Sequence, residues 1–173
     1  MKRWLLPLIL LAFGAGAYKT FGHHAAYGFV VPDAAVIHSE ANLRSSFASS
    51  KLHTQTHAAS LIELKDGRIR AFWFAGSREG AADVEIRSAV FDPVQGTWSG
   101  EQAVATREAT LRGVRRYVSK LGNPVPARAA DGSLWLYYVT VSLGGWAGSS
   151  ITAIKSDDEG ANWGLPQRLV TSP

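Results

Sequence analysis

Two landmarks recur in this chain at a single spacing. Asp66 and Asp131 stand 65 residues apart, and so do Trp98 and Trp163. In the same register Phe72 falls on Tyr137 and Ile86 on Ile151. A recurring unit of this kind is a supersecondary element that buries its apolar face against its neighbour, so the repeat constrains the fold before composition does. Each unit reads alike. In the first, the apolar run AASLIEL leads through the turn Lys65-Asp66-Gly67 into RIRAFWFA, rich in β-prone aromatics. A glycine-rich loop, GSREGAAD, then precedes VEIRSAVFD, which places Val84, Ile86, Ser88 and Val90 on one face of a strand. In the second, NPVPARA, the turn Asp131-Gly132, LWLYYVTV, the loop LGGWAGSS and ITAIKS follow in the same order.

Short strands joined by hairpin turns, with no helical period, predict an all-β fold. The expected form is a partial β-propeller of about two four-stranded antiparallel blades, at 57–105 and 118–173, with a plain β-sandwich as the alternative. Residues 53–173 form the incomplete propeller. Residues 18–52 read as a linker with one possible strand around Ala34 to Ile37. A ring of blades needs more than two, so the expectation is a truncated chain whose missing part is C-terminal.

Residues 1–17 read as a targeting segment. Lys2 and Arg3 precede the apolar run Trp4 to Phe13, and Ala15-Gly16-Ala17 supplies a small-residue cleavage pattern. The run falls short of the roughly 20 residues of a comfortable membrane span. A cleaved signal peptide or an N-terminal anchor both predict export, to the periplasm or beyond, with membrane contact only through that anchor. The chain has no cysteine, which excludes disulfides, thiol catalysis and Cys-based zinc sites. Lys and Arg exceed Asp and Glu by only 18 to 14, which reads as a solvated surface, and no nucleic-acid partner is expected.

SDDEGANW, Ser156 to Trp163, resembles the Asp-box of sialidase-type propellers, and FDPVQGTW is its degraded counterpart in the first unit. THAASLIELKDGRI, FWFAGSREGAADVEI, GNPVPAR, DGSLWLYYVTVSLGGW and SDDEGANW together resemble the bacterial sialidase-like (BNR-repeat) propellers, often called predicted neuraminidases. The resemblance implies that the Asp-box is a structural corner, away from the chemistry. It also implies that the substrate carboxylate is gripped by an arginine opening the first blade. Here His57-Ala58-Ala59 stand in that place. The family's acid catalyst lies in the loop where this chain has Asp83. Its tyrosine nucleophile, the glutamate partner and the other arginines belong to later blades that this chain lacks.

The candidate catalytic residues are His57, Asp83 and Glu79. His57 opens an inner strand and is suited to acid or base work near neutral pH; the alternative is a histidine bonded to a loop carbonyl. Arg78 either anchors an anionic sugar or pairs with Glu79 or Asp83 within its own loop. Asn123 and Trp146, from the second unit, either bind sugar hydroxyls and stack on a ring or pack the blade. The run from Arg107 to Tyr117 is either a solvated connection or a source of substrate contacts through Arg115 or Arg116. No metal site and no cofactor are expected. The reading is an exported, sialidase-like glycan-active protein acting on an anionic sugar as hydrolase or lyase. The alternatives are a non-catalytic glycan-binding or scaffold propeller, or an inactive remnant.

Overall fold

The computed structural model describes residues 5–21 and 43–171, so the strand expected near 34–37 lies outside the described residues. Contacts divide the chain into two units, 1–43 and 44–173. In the first, helix α1 spans Leu5–Phe21. Among the described residues no helix is long and apolar enough to cross a membrane.

The second unit is the repeat. Strands β1 (Gln55–Glu63), β2 (Ile69–Gly76), β3 (Glu85–Asp92), β4 (Thr97–Trp98) and β5 (Gln102–Ala105) make one antiparallel sheet. Its order is β1-β2-β3-β4, with β5 also paired to β3. Helix α2 (Arg107–Val114) leads to a second antiparallel sheet, in the order β6 (Lys120–Arg128), β7 (Leu134–Val141), β8 (Ser149–Ser156), β9 (Gln167–Thr171). The 65-residue period reaches local detail. β1 and β6 carry register shifts at His57/Ser60 and at Gly122/Val125. Ala58 and Asn123 inside these bulges both turn left-handed, at φ 52° and 48°. The fold is therefore all-β, two blade-like sheets of a partial propeller.

The sheets pack face to face. Alternation along each strand sends every second residue to that interface. Phe72, Phe74 and Ile86 of the first sheet share one core with Leu121, Leu134, Leu136, Tyr138 and Ile154 of the second. Burying side chains of this size stabilises by about 1.5–3 kcal/mol each. Ser60 Oγ adds a polar tie, donating to the Pro124 carbonyl at 2.7 Å.

The segment after β5 contains a helix, which strand spacing did not lead one to expect. Thr106 caps it by accepting from the Ala109 amide at 3.2 Å. Its one buried residue, Thr110, is hydrogen-bonded to the Tyr138 hydroxyl at 3.0 Å, and burial pushes that phenol up to about 12. Arg107 to Tyr117 is thus a docked connection, not a free one. Gly113 permits the docking, because a β-carbon there would lie 2.5 Å from Cδ of Pro166.

The Asp-box closes β8 as expected. Ser156 Oγ donates to Asp158 Oδ1 at 2.7 Å and accepts from the Gly160 amide at 2.8 Å. Asp158 accepts from the amide and side chain of Asn162, which holds its carboxyl down at about 2. Glu159, left-handed at φ 60°, turns back toward the first sheet. It takes both ends of the Arg128 guanidinium at 2.6 and 2.7 Å, and its Oε2 accepts from the Lys65 amide of the β1–β2 turn at 3.1 Å. The Arg128 pairing lowers the Glu159 carboxyl to about 2. The corner therefore fastens one repeat to the other.

Gly→Ala inside a helix ordinarily stabilises by about 1 kcal/mol. Gly113→Ala is expected to destabilise by about 1–3 kcal/mol in chemical denaturation, because the overlap with Pro166 is with a rigid ring. The folded-state values of Asp158 and Glu159 lie below their ordinary 3.8 and 4.5, so their ionisation favours the fold above the unfolded-state range. That contribution disappears as pH falls from roughly 4.5 to about 2. Tm should drop through this window. Glu159→Gln should cost about 1–2 kcal/mol at neutral pH and flatten part of the acid drop.

Candidate functional site

The antiparallel order brings one set of strand ends together. The starts of β1, β3, β6 and β8 and the ends of β2 and β7 share a rim, from which the loops 77–84 and 142–148 project. The Asp-box lies at the opposite ends of the strands. Every residue expected to act on a substrate falls at this rim or next to it.

The 77–84 loop is flanked on both sides by residues one period apart, Gln55 and Lys120. Gln55 Oε1 accepts from the Glu79 amide at 2.9 Å. Lys120 reaches Gly80 so closely that a β-carbon there would lie 3.4 Å from its Nζ. Lys120 Nζ also stands 5.9 Å from the ring of Trp146, which is 47% exposed on the short 3-10 helix Gly145–Gly148. A β-carbon on Gly122 would sit 3.5 Å from Cη2 of Trp146 and 3.9 Å from Cδ1 of Phe74. Phe74 in turn stacks on His57, with ring centroids 5.7 Å apart and planes inclined by 17°. His57, Phe74, Trp146 and Lys120 thus form a continuous series across the two inner strands.

The remaining candidates differ in their setting. Asp83 is exposed and accepts from the amide and hydroxyl of Ser77, both at 2.9 Å. These bonds hold its carboxyl below the usual range. An aspartate kept ionised in this way is a poor proton donor near neutral pH. The carboxylate of Glu79 and the guanidinium of Arg78 are exposed, and among the described residues neither makes an ion pair. Of the two alternatives for Arg78, the pairing within its own loop is not formed. Asn123 is exposed at its bulge. Arg116 follows the left-handed cap Arg115, and Ser142 Oγ donates to the next carbonyl, Tyr117, at 2.8 Å, which brings that linker to the rim.

Sequence reasoning missed Lys120 and Phe74. Lys120 carried a signal of a kind, since it is the repeat counterpart of Gln55. Phe74 was indistinguishable from core. His53 also has a partner that spacing alone did not suggest, with its Nε2 3.3 Å from Glu85 Oε1.

Residues 67–173 match the BNR repeat-like domain. The chain belongs to that family. Among solved structures, the BNR repeat-like chain is similar to "Hadza microbial sialidase Hz136", with a TM-score of 0.53 at 16% identity over 67% of this chain and 26% of that one. A protein of unknown function from Dyadobacter fermentans DSM 18053 aligns with a TM-score of 0.48 at 14% identity, over 65% of this chain and 35% of that one. This chain therefore spans about a quarter to a third of the length of these structures. The likeness to the sialidase shows a sialidase-like fold. No curated protein matches the chain.

Ser77→Ala should let the Asp83 carboxyl rise toward its ordinary value of 3.8, read by NMR titration of the side-chain carboxyl carbon. An unmoved titration would show that the Ser77 hydroxyl does not hold it.

Proposed function

We propose that this chain is part of an exported, sialidase-like protein active on glycans, and that the rim takes an anionic sugar. One observation carries the reading, the half-exposed Trp146 ring with the Lys120 ammonium beside it. An exposed indole offers an apolar platform for the C–H face of a pyranose, and a neighbouring cation favours a ring that bears a carboxylate. Arg78, with its guanidinium unpaired among the described residues, is the second anionic contact, of the fork type suited to carboxylates. Asn123 and Arg116 extend the polar border. The apolar start at 4–13, behind Lys2 and Arg3, supports export.

His57 is the acid or base in this reading. It is exposed, and its ring orientation is fixed by stacking on Phe74. Glu79 is the second carboxylate. Asp83 serves as a fixed negative charge or a base, not as the acid, because Ser77 keeps it ionised. That last observation favours a second reading, in which the rim binds glycan without turning it over.

The test uses the native protein and calorimetric titration with uronate- or sialate-bearing oligosaccharides against neutral ones of equal length. Trp146→Ala and Lys120→Gln are each expected to weaken anionic binding by about tenfold or more, a loss of ~1.4 kcal/mol. Equal affinity for neutral sugars, or none for either, would sink the proposal. Loss of turnover in His57→Ala with binding retained assigns catalysis. Binding without turnover on the whole panel assigns the non-catalytic reading.

A further inference from the structure

Where α2 passes from the end of β5 to the second sheet, the fold leaves a cavity of about 560 Å³. That volume lies within the roughly 300–1,000 Å³ of small-molecule sites. All its lining residues fall within 104–166, from β5, α2, β8 and the turn before β9. Its walls are therefore supplied by elements already packed on one another.

Small residues on α2 create the space. The helix is fixed at two points, by Thr110 on the Tyr138 hydroxyl and by Gly113 on the Pro166 ring. Beside them it turns Ala109 and Gly113 to the cavity, four residues apart on one helix face. Their side chains are too short to fill the gap toward Ile154 and Trp163. The first unit treats its own tryptophan differently. One period before α2 lies the segment 44–50, where Ser46 Oγ accepts from the Trp98 indole N–H at 3.0 Å. Helix α2 carries Leu111 at that place, and the Trp163 indole N–H is buried with no acceptor among the described residues. The arrangement around Trp163 is thus particular to the second unit.

The lining divides in two by chemistry. Ala105, Thr110 and Ile154 are buried at its base, with Val104, Trp163 and Pro166 half-buried around them. The Thr110 hydroxyl is engaged by Tyr138, so this part offers apolar surface. The cations of the lining are Arg112 and Arg115, both exposed, and neither makes an ion pair among the described residues. Glu108, the one acidic residue of α2, pairs with Arg107 at 3.2 Å instead. Arg115 is also the left-handed residue that ends the helix, at φ 52°. Glycine is the usual choice there, because a β-carbon strains that conformation. The chain accepts the strain at the position that brings a second guanidinium to the cavity.

We propose that this cavity binds a small amphiphilic anion, an apolar chain ending in one carboxylate. The apolar chain lies against Val104, Ile154 and Trp163. Arg112 and Arg115 hold the carboxylate, a task to which guanidinium forks are suited. The site is built on the tryptophan of the Asp-box corner, at the opposite ends of the strands from Trp146, and it does not rest on the glycan reading of the rim.

Octanoate is the probe, with 1-octanol and acetate as controls for its apolar and anionic halves. In the native protein carrying isotope-labelled tryptophan, the indole resonances of Trp163 and Trp146 are assigned by their loss in Trp163→Phe and Trp146→Phe. Octanoate should shift Trp163 saturably and leave Trp146 in place. The anionic oligosaccharides of the rim should do the reverse, so the two proposals fail separately. Arg112→Gln/Arg115→Gln removes no ion pair of the fold and should lower octanoate affinity by about tenfold or more, to that of octanol. Ala109→Leu fills the cavity and should abolish the Trp163 response while Trp146 still answers the oligosaccharides. Equal affinity for octanoate and octanol in the unmodified protein would overturn the anionic site, and so would an undiminished octanoate affinity in the double variant. An equal Trp163 response to acetate would mean an adventitious ion only. A Trp163 resonance that ignores octanoate overturns the proposal outright.

Discussion

Phe72, Phe74 and Ile86 can leave water only because Leu136, Tyr138 and Ile154 arrive one period later on the opposite side of the same gap. Neither sheet has a second apolar layer of its own in that gap, and a lone antiparallel sheet of four or five strands is marginal without one. Everything else in the unit refines this contact. Helix α2 fills the wedge beside it and bonds the one phenol it buries. Glu159 fastens its far end through Arg128 and Lys65. Ser60 fixes the approach of the two inner strands. These polar ties add specificity to a contact whose energy is apolar, and their partial exposure limits what each can contribute.

The division of labour between the two ends of the strands follows from the same geometry. At the Asp-box end the backbone reverses tightly, and side chains are consumed by their own turn. Asp158 serves the amide and side chain of Asn162 and Ser156 serves the Gly160 amide, so both are engaged by their own turn. At the rim end the loops are wider. There Arg78, Glu79, Asn123 and Trp146 face outward with few bonds to one another. A carboxylate at the first end is a fastening and a carboxylate at the second is available, even though both look alike in a string of letters.

That distinction sets what could be read from sequence. The period placed β1 on β6 and β2 on β7, and the corner SDDEGANW named its own hydrogen bonds, because local turn chemistry and strand alternation are short-range properties. Helix α2 was not legible, since eight residues between strands give too few turns for a period to emerge, and its Thr106 cap is one residue among many threonines. The placing of His57, Asp83 and Trp146 at one rim was legible from strand order. Their states were not. Only the fold shows that Ser77 keeps Asp83 ionised, that Phe74 lies under His57, and that Lys120 stands over Trp146.

The repeat gives the inner strand pairs of the two units the same register and bulge, and the candidate site lies where their side chains part. His57 becomes Gly122 one period on, Ala58 becomes Asn123, and Ala81 becomes Trp146. These changes are coupled. A β-carbon at 122 would start 3.5 Å from the Trp146 ring, in ordinary contact, so the indole lies directly over the second inner strand where that strand carries no side chain. In the first unit the small Ala81 is buried, and the space is left to the imidazole at 57 on its Phe74 platform. One backbone position thus carries a titratable ring in one blade and yields to a stacking ring in the next. A ligand spanning the two inner strands would meet the His57 imidazole first and an aromatic surface beside it, with Lys120 over the second. Symmetric units could not offer that gradient. The divergence at 57, 58 and 81 builds it on paired inner strands that keep the same register and the same bulge.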